Sequence, residues 1–387
     1  MKKLAIITTH PIQYYAPVFQ LLAERKNIEL KVFYTWGKDS IGNLYDRGFK
    51  RTLTWDIPLF ESYQYEFFKN VAKNPGSSHF NGIINPDACD RIEAYNPSAI
   101  LVYGWANNSH LKIIRHFSKR LPIWFRGDST LLDETKGCKT LIRSLFLKWV
   151  YSKVDKAFYV GSANKRYFKK FGLKEHQLTF APHAIDNERY SKGSVDSVRL
   201  RESLNIQKTD ILVLFAGKFE IKKDPELLLQ AFSRIHYQHV HLLFVGNGAL
   251  EELLKNRRLD APNSERIHFM DFQNQNQMPA VYHACDLFCL PSKGPGETWG
   301  LAVNEAMASG KAVLTSDKVG CSEDLVINGY NGATFKHASL DELIKTILFL
   351  TNDSISLKKM GANSLNLIQA WSFEKQAKAY EDSLIAL

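Results

Sequence analysis

The chain has 387 residues, 45% hydrophobic and 23% charged, enough for two domains with cores of their own and unlike a disordered or fibrous protein. The net charge is +10, but residues 1–190 carry 29 Lys and Arg against 17 Asp and Glu, and residues 191–387 carry 21 against 23, so an anionic partner is expected on the first half alone. Five scattered cysteines favour a reducing compartment over a disulfide framework, and no apolar run approaches a membrane span.

In chain order, residues 4–8 read as a strand, too short an apolar run for a signal peptide. A turn at His10, a helix over 13–24 and a strand over 28–34 complete a β-α-β opening of a parallel sheet. Residues 37–80, rich in Gly, Tyr and Phe, read as an irregular insert. A helix over 84–95, a strand over 99–103 and a helix over 108–120 follow. The strand over 122–125 leaves through Arg126-Gly127-Asp128. The helix over 139–152 has a stripe of Leu141, Ile142, Leu145, Phe146 and Trp149, which reads as core. Residues 156–160 are a strand, 163–171 a basic helix and 178–181 a short strand. From 186 the apolar period stops, which places a first domain at 1–190 and a linker at 191–209. A second α/β series occupies 210–371, and a last helix begins at Phe373. Two such series imply two Rossmann-like domains facing across a cleft, with ligands at the carboxyl ends of the strands.

The chemistry concentrates after the strand over 286–290. Pro291, Gly294, Pro295 and Gly296 make a tight loop, Glu297 follows, and a helix begins near Trp299 with Glu305 inside it. A helix start offers unpaired amides to an anion. The two carboxylates are too far apart along a helix to work side by side as in a retaining hydrolase; they suit hydroxyls at two ends of one ligand. Lys218 and Lys223 lie in the loop after the first strand of the same domain. With the glycine turn at Gly320 they form either a diphosphate clamp or a solvated loop. Cys285 and Cys289 read as core thiols, and no Asp-X-Asp or His cluster suggests a metal.

Residues 215–332 resemble the carboxyl half of the retaining GT-B glycosyltransferases of family 4, the glycosyl transferases group 1. Five segments carry the resemblance in order. They are Gly217-Lys218-Phe219 with Lys223-Asp224-Pro225; Leu243 to Gly248 with its glycine turn; residues 278–292; Glu297 and Glu305-Ala306-Met307-Ala308; and Val319-Gly320-Cys321-Ser322-Glu323 with Asn328 to Gly332. The resemblance implies a GT-B α/β fold whose C-terminal helix packs back on the N-terminal domain. It also implies that Lys218 (usually Arg in the family), Lys223, Gly217 and the amides of Gly320 and Cys321 hold the donor diphosphate. Glu297 and the amides of Trp299, Gly300 and Leu301 would hold the sugar, Glu305 the ribose, and Met270 and Phe272 the base. Trp299 stands where Phe is commoner.

In the amino half, His10 lies where the family has a glycine-rich turn, and is either a site residue or a turn histidine. Arg126 and Asp128 replace a family histidine and are either sugar contacts or a structural ion pair. His110 and His183 read as structural. Residues 136–174 hold 11 basic residues against Asp155 alone, which suits an anionic membrane, a glycan or plain solvation.

The expected protein is thus a retaining transferase that moves a sugar from a nucleotide-sugar donor to a hydroxyl of a lipid-linked glycan in surface polysaccharide synthesis. It needs no metal or cofactor and works in the cytoplasm, peripheral to the inner face of the membrane. A sugar-nucleotide epimerase, a phosphorylase and an inactive GT-B scaffold are the rivals. A nucleic-acid-binding role leaves the carboxyl half unexplained, so no nucleic-acid partner is expected.

Overall fold

A computed structural model describes all residues except 39–43, 47, 50, 136 and 194. The chain divides into two compact units: residues 1–44, 57–183 and 373–387 form the first, and 45–56 and 184–372 the second.

The first unit starts with β1 (Lys3–Thr8), α1 (Ala16–Arg25) and β2 (Glu29–Tyr34). β3 (Leu44–Asp46) and β4 (Arg51–Leu53) make a separate two-stranded sheet that lies, but for Leu44, in the segment 45–56 of the second unit, and β5 (Gln64–Phe67) resumes the first. Then come α2 (Ala88–Tyr95), β6 (Ala99–Tyr103), α3 (Asn108–Phe117), β7 (Ile123–Arg126), α4 (Cys138–Tyr151), β8 (Lys156–Tyr159), α5 (Ser162–Lys170) and β9 (Leu178–Phe180). The seven-stranded sheet runs β5-β2-β1-β6-β7-β8-β9, all parallel. Its central strands are covered on both faces, which is why Leu4 to Ile7 and Ile100 to Val102 form continuous apolar runs without alternation.

Two expectations change here. The insert over 37–80 contains an edge strand, β5, whose sequence Gln-Tyr-Glu-Phe has no buried run. Its partner specifies it: Lys31 to Tyr34 pair with Gln64 to Phe67, and Lys31 reaches Glu66 at 2.7 Å. The remainder of that insert falls partly outside the described residues. The stripe expected to be core on α4 faces outward instead. Leu147, Val150 and Tyr151 on the opposite face are the buried side. Both faces are apolar, so periodicity finds the helix but not the side that packs.

The second unit contains α6 (Asn187–Ser191), α7 (Val195–Ser203), β10 (Ile211–Ala216), α8 (Pro225–Ser233), β11 (Val240–Val245), α9 (Glu251–Leu259) and β12 (Ile267–Met270). It continues with α10 (Met278–Ala284), β13 (Leu287–Leu290), α11 (Leu301–Ala308), β14 (Ala312–Ser316), α12 (Ser322–Leu325), β15 (Gly332–Phe335), α13 (Leu340–Thr351) and α14 (Ser354–Ile368). Six parallel strands run β12-β11-β10-β13-β14-β15. Residues 191–209, expected as a linker, form α7 and its flanks within this unit. Arg201 ties them down through Asp286 at 3.0 Å and the carbonyls of Ala284, Gln207 and Asp210.

The last helix, α15 (Phe373–Ile385), belongs to the first unit. Tyr380 and Leu384 are wholly buried there, and Tyr380 meets Tyr103 hydroxyl to hydroxyl at 3.0 Å. Glu381 takes Asn27 at 2.7 Å and Arg25 at 3.1 Å. In both sheets the strand order reverses beside the first strand: between β1 and β6, and between β10 and β13. Such switch points open crevices at the carboxyl ends of the strands.

Candidate functional site

The crevice of the second unit lies between the loops leaving β10 and β13. Gly217 turns at φ +149°. Asp224, left-handed at φ 50°, then starts α8 with Pro225 in its first turn. The amides of Lys293 and Gly294 bind the carbonyl of Lys222, and Lys293 Nζ reaches Asp224 at 2.9 Å, so the two loops are laced together. That lacing brings Lys223 Nζ to 2.8 Å from Glu297 Oε2, with the buried Ser292 hydroxyl donating to the same oxygen at 3.1 Å. Burial pushes the Glu297 carboxyl up, but the Lys223 charge and hydrogen bond, the Lys222 charge and Ser292 together hold it below its ordinary value. It is therefore a carboxylate at neutral pH. Ser292 gave no signal in the sequence, because its role depends on the turn that points it inward.

α11 begins at Leu301, two residues later than expected, because Gly300 is left-handed at φ +96°. A Cβ there would also come within 2.8 Å of Val319. Trp299 is buried, and its indole donates to Asn304 Oδ1 at 2.9 Å, so it pins the loop to the helix. The first-turn amides at Gly300 and Leu301 precede any intrahelical acceptor and point out of the helix end. The amides expected from Gly320 and Cys321 do not join them. Gly320 N–H donates to the Glu297 carbonyl at 3.0 Å and Cys321 N–H to the Trp299 carbonyl at 2.9 Å. These two residues clamp the Glu297 loop rather than cradle a ligand. A Cβ on Gly320 would lie 1.8 Å from the Thr298 carbonyl oxygen, so glycine is required for that approach. Glu305 is buried one helical turn further on and accepts from the Tyr282 hydroxyl at 2.8 Å.

Lys218 meets the segment that precedes β5. Its ammonium lies 5.0 Å over the ring of Phe49, from the segment 45–56 that packs in this unit. Phe49 also meets Phe272 edge-on at 4.7 Å, and Trp55 lies 6.4 Å from Phe272. Phe272 N–H binds Asn247 Oδ1, and Met270 takes the Gly246 amide, so both expected base-side residues sit at the β11–β12 edge of the crevice. The sequence offered no reason to bring residues 45–56 here; Asn274 and Asn276 do so, by hydrogen bonds to Thr54 and Asp56.

In the first unit a cavity of about 170 Å³ opens at the β1–β6 switch point, lined among others by Thr8, Tyr15, Tyr103, Arg126, Asp128 and His183. That is below the ~300–1,000 Å³ of whole-ligand pockets, so it fits part of a ligand. Arg126 is 3% exposed and spends both terminal nitrogens on the carbonyls of Ala181 (2.8 Å) and Pro182 (3.1 Å). It positions the chain that carries His183. Asp128 is half-buried on the cavity rim. His183 lies against Tyr15 and is held at about 4 by burial and then by the Arg126 charge, against the pull of Asp128. It is thus a neutral imidazole facing the cavity, where the sequence reading made it structural. His10 lies outside that lining; it bonds Thr9 at 2.8 Å and packs edge-on against Trp36, and burial holds it at about 4. His110 is structural as expected: Nδ1–H donates to the Gly104 carbonyl and Nε2 accepts from Thr35.

Two doubly covered parallel sheets, each with its crevice at the switch point, define a GT-B protein. Residues 196–366 match the family described as Glycosyl transferases group 1. Over 243 residues (59% of the chain) it is 29% identical to the lipopolysaccharide 1,2-N-acetylglucosaminetransferase of Salmonella typhimurium. Over 255 residues (64%) it is 26% identical to the N,N'-diacetylbacillosaminyl-diphospho-undecaprenol alpha-1,3-N-acetylgalactosaminyltransferase of Campylobacter jejuni. The matches span 62% and 61% of those relatives' own lengths. The fold is similar to that of Anabaena HepE in complex with UDP, with a TM-score of 0.74, 17% identity and 100% of both chains covered.

Proposed function

We propose that the protein is a retaining glycosyltransferase that moves a sugar from a nucleotide-sugar donor to a hydroxyl of a glycan acceptor. The observation that carries this reading is the Lys223–Glu297 pair beside the open first turn of α11. A nucleotide sugar joins a diphosphate to a ring of hydroxyls, and needs a cation and a carboxylate within a few ångströms of each other. Lys223 and the amides at Gly300 and Leu301 serve the diphosphate as it departs, which stabilises the developing charge without a metal. Glu297 accepts from hydroxyls of the sugar, and Glu305 from the ribose. Lys218 lies on the base side and steadies the phosphates from the other edge. In the first unit, neutral His183 and the carboxylate of Asp128 are the groups able to orient a sugar or acceptor hydroxyl, with Arg126 holding the chain behind them.

The lipopolysaccharide and undecaprenol-linked substrates in the names of the two relatives support a lipid-linked acceptor in surface polysaccharide synthesis. The UDP of the HepE complex makes uridine the first base to try. The acceptor would place the protein on the cytoplasmic face of a membrane as a peripheral protein. The test is a thermal-shift screen of nucleoside diphosphates and their sugars, followed by NMR of the product formed from the stabilising donor. The expected result is a rise in melting temperature with one nucleotide family and a product that keeps the donor's anomeric configuration. No stabilisation by any nucleotide would sink the reading, and an inverted product would sink retention.

A further inference from the structure

α4 carries a largely exposed apolar face, on which Phe146 meets Trp105 edge-on at 5.3 Å. Leu141, Ile142, Leu145, Phe146 and Trp149 are 64%, 69%, 62%, 37% and 39% exposed. At ~100° per residue these five fill one continuous arc of about 140°, with Lys148 on one border and Lys139 and Arg143 on the other. All three of these basic residues are exposed. Cations also gather at the aromatic end of the arc. The Arg115 guanidinium lies 5.8 Å over the Trp149 ring and Lys153 Nζ lies 5.9 Å from it.

The rest of the basic stretch contributes less. Lys165 and Lys169 are paired with Glu175, and Lys170 with Glu134. The charge available to an outside partner therefore sits around α4, beside the exposed side chains.

We propose that this face of α4 is an in-plane membrane anchor that rests on an anionic bilayer. The five apolar side chains enter the headgroup–acyl boundary, with Trp149 at the interface, and Lys139, Arg143, Lys148 and Lys153 meet lipid phosphates. The proposal deepens the lipid-linked acceptor reading and rests on it for its purpose, though not for its test. The charge pattern favours a bilayer over a second copy of this chain. A two-fold contact through α4 would bring the same basic border against itself, and like charges across a contact oppose association. A bilayer supplies the opposite charge and an apolar layer together.

The experiment is cosedimentation of the full chain, without donor or acceptor, with phosphatidylcholine vesicles that contain about one third phosphatidylglycerol, against vesicles of phosphatidylcholine alone. Wild type should bind the anionic vesicles at least about tenfold more tightly than the neutral ones. Leu145→Gln/Trp149→Gln and Arg143→Glu/Lys148→Glu should each lose at least about tenfold of that affinity. Melting temperatures should hold, since the changed side chains are exposed. Absence of wild-type binding, or wild-type binding in either variant, overturns the proposal. So does a wild-type dimer that Leu145→Gln/Trp149→Gln converts to a monomer in sedimentation velocity, since the face then belongs to a self-contact. Nucleotide stabilisation measured on the same samples separates the two readings: its persistence with failed vesicle binding removes the anchor alone.

Discussion

Lys223 and Glu297 meet at 2.8 Å with side-chain exposures of 15% and 8%, and a buried pair of this kind behaves differently when one half is removed than when the other is. Loss of Glu297 leaves an ammonium still aimed at the crevice; loss of Lys223 leaves a buried carboxylate with only the weaker Lys222 charge and the Ser292 hydroxyl to answer it. Either change costs about 3–5 kcal/mol of stability by stranding a charge. Their effects on ligand should diverge. Glu297→Gln is expected to cut turnover by at least about 100-fold while keeping or strengthening nucleoside diphosphate binding. Lys223→Ala should lose both. Calorimetric titration with the diphosphate beside a turnover assay checks this; full turnover in Glu297→Gln, or unweakened binding in Lys223→Ala, contradicts the assignment. The motif around this pair was legible because its residues lie in two short loops with glycines and a helix start. What was not legible is which amides remain open. Gly320 and Cys321 look like phosphate donors in one dimension, and only their hydrogen bonds to the Glu297 and Trp299 carbonyls show that their N–H groups are already used.

The elements most easily read were those buried on both sides. β10 and β6 are continuous apolar runs that nothing but a central parallel strand would need. β5 was missed because an edge strand with one neighbour owes its conformation to that neighbour's hydrogen bonds and to a cross-strand ion pair. α4 was found and then turned the wrong way round. α15 shows the opposite case: its sequence is an ordinary amphipathic helix, yet it completes the core of a unit whose other residues precede it by more than a third of the chain. Removal of residues 373–387 takes Tyr380, Leu384 and Ala377 out of that core, at about 1.5–3 kcal/mol for each large side chain. Hydrogen exchange on the truncated protein should show protection falling across β1, β6 and β7 and holding across β10, β11 and β13. Equal loss in both sheets would refute this division.

Across the whole molecule, burial holds three histidines of the first unit, His10, His110 and His183, in the neutral form. His110, wholly buried, lies at about 4 rather than its ordinary 6.5, first through burial, and its two ring nitrogens are satisfied as one donor and one acceptor. The unfolded chain takes up a proton below 6.5 that the folded one refuses until about 4. Stability from this group is therefore full above 6.5 and falls as pH drops through that window, by about 3 kcal/mol. Urea denaturation from pH 7 to 4 should show this decline, and His110→Gln, less stable at pH 7, should flatten it. An unchanged slope would mean that the imidazole titrates normally in the fold. The sequence alone determined the two α/β series, the strand–glycine loop–helix motif around Glu297 and the bias of charge toward the first half, since local periodicity, glycine-bounded turns and composition are properties of neighbouring residues. Only tertiary structure decided that His183 faces a cavity, that residues 45–56 pack against Lys218 and Phe272, and which face of α4 stays outside. Each of these depends on what distant parts of the chain bring to the same place, and no run of neighbours encodes that.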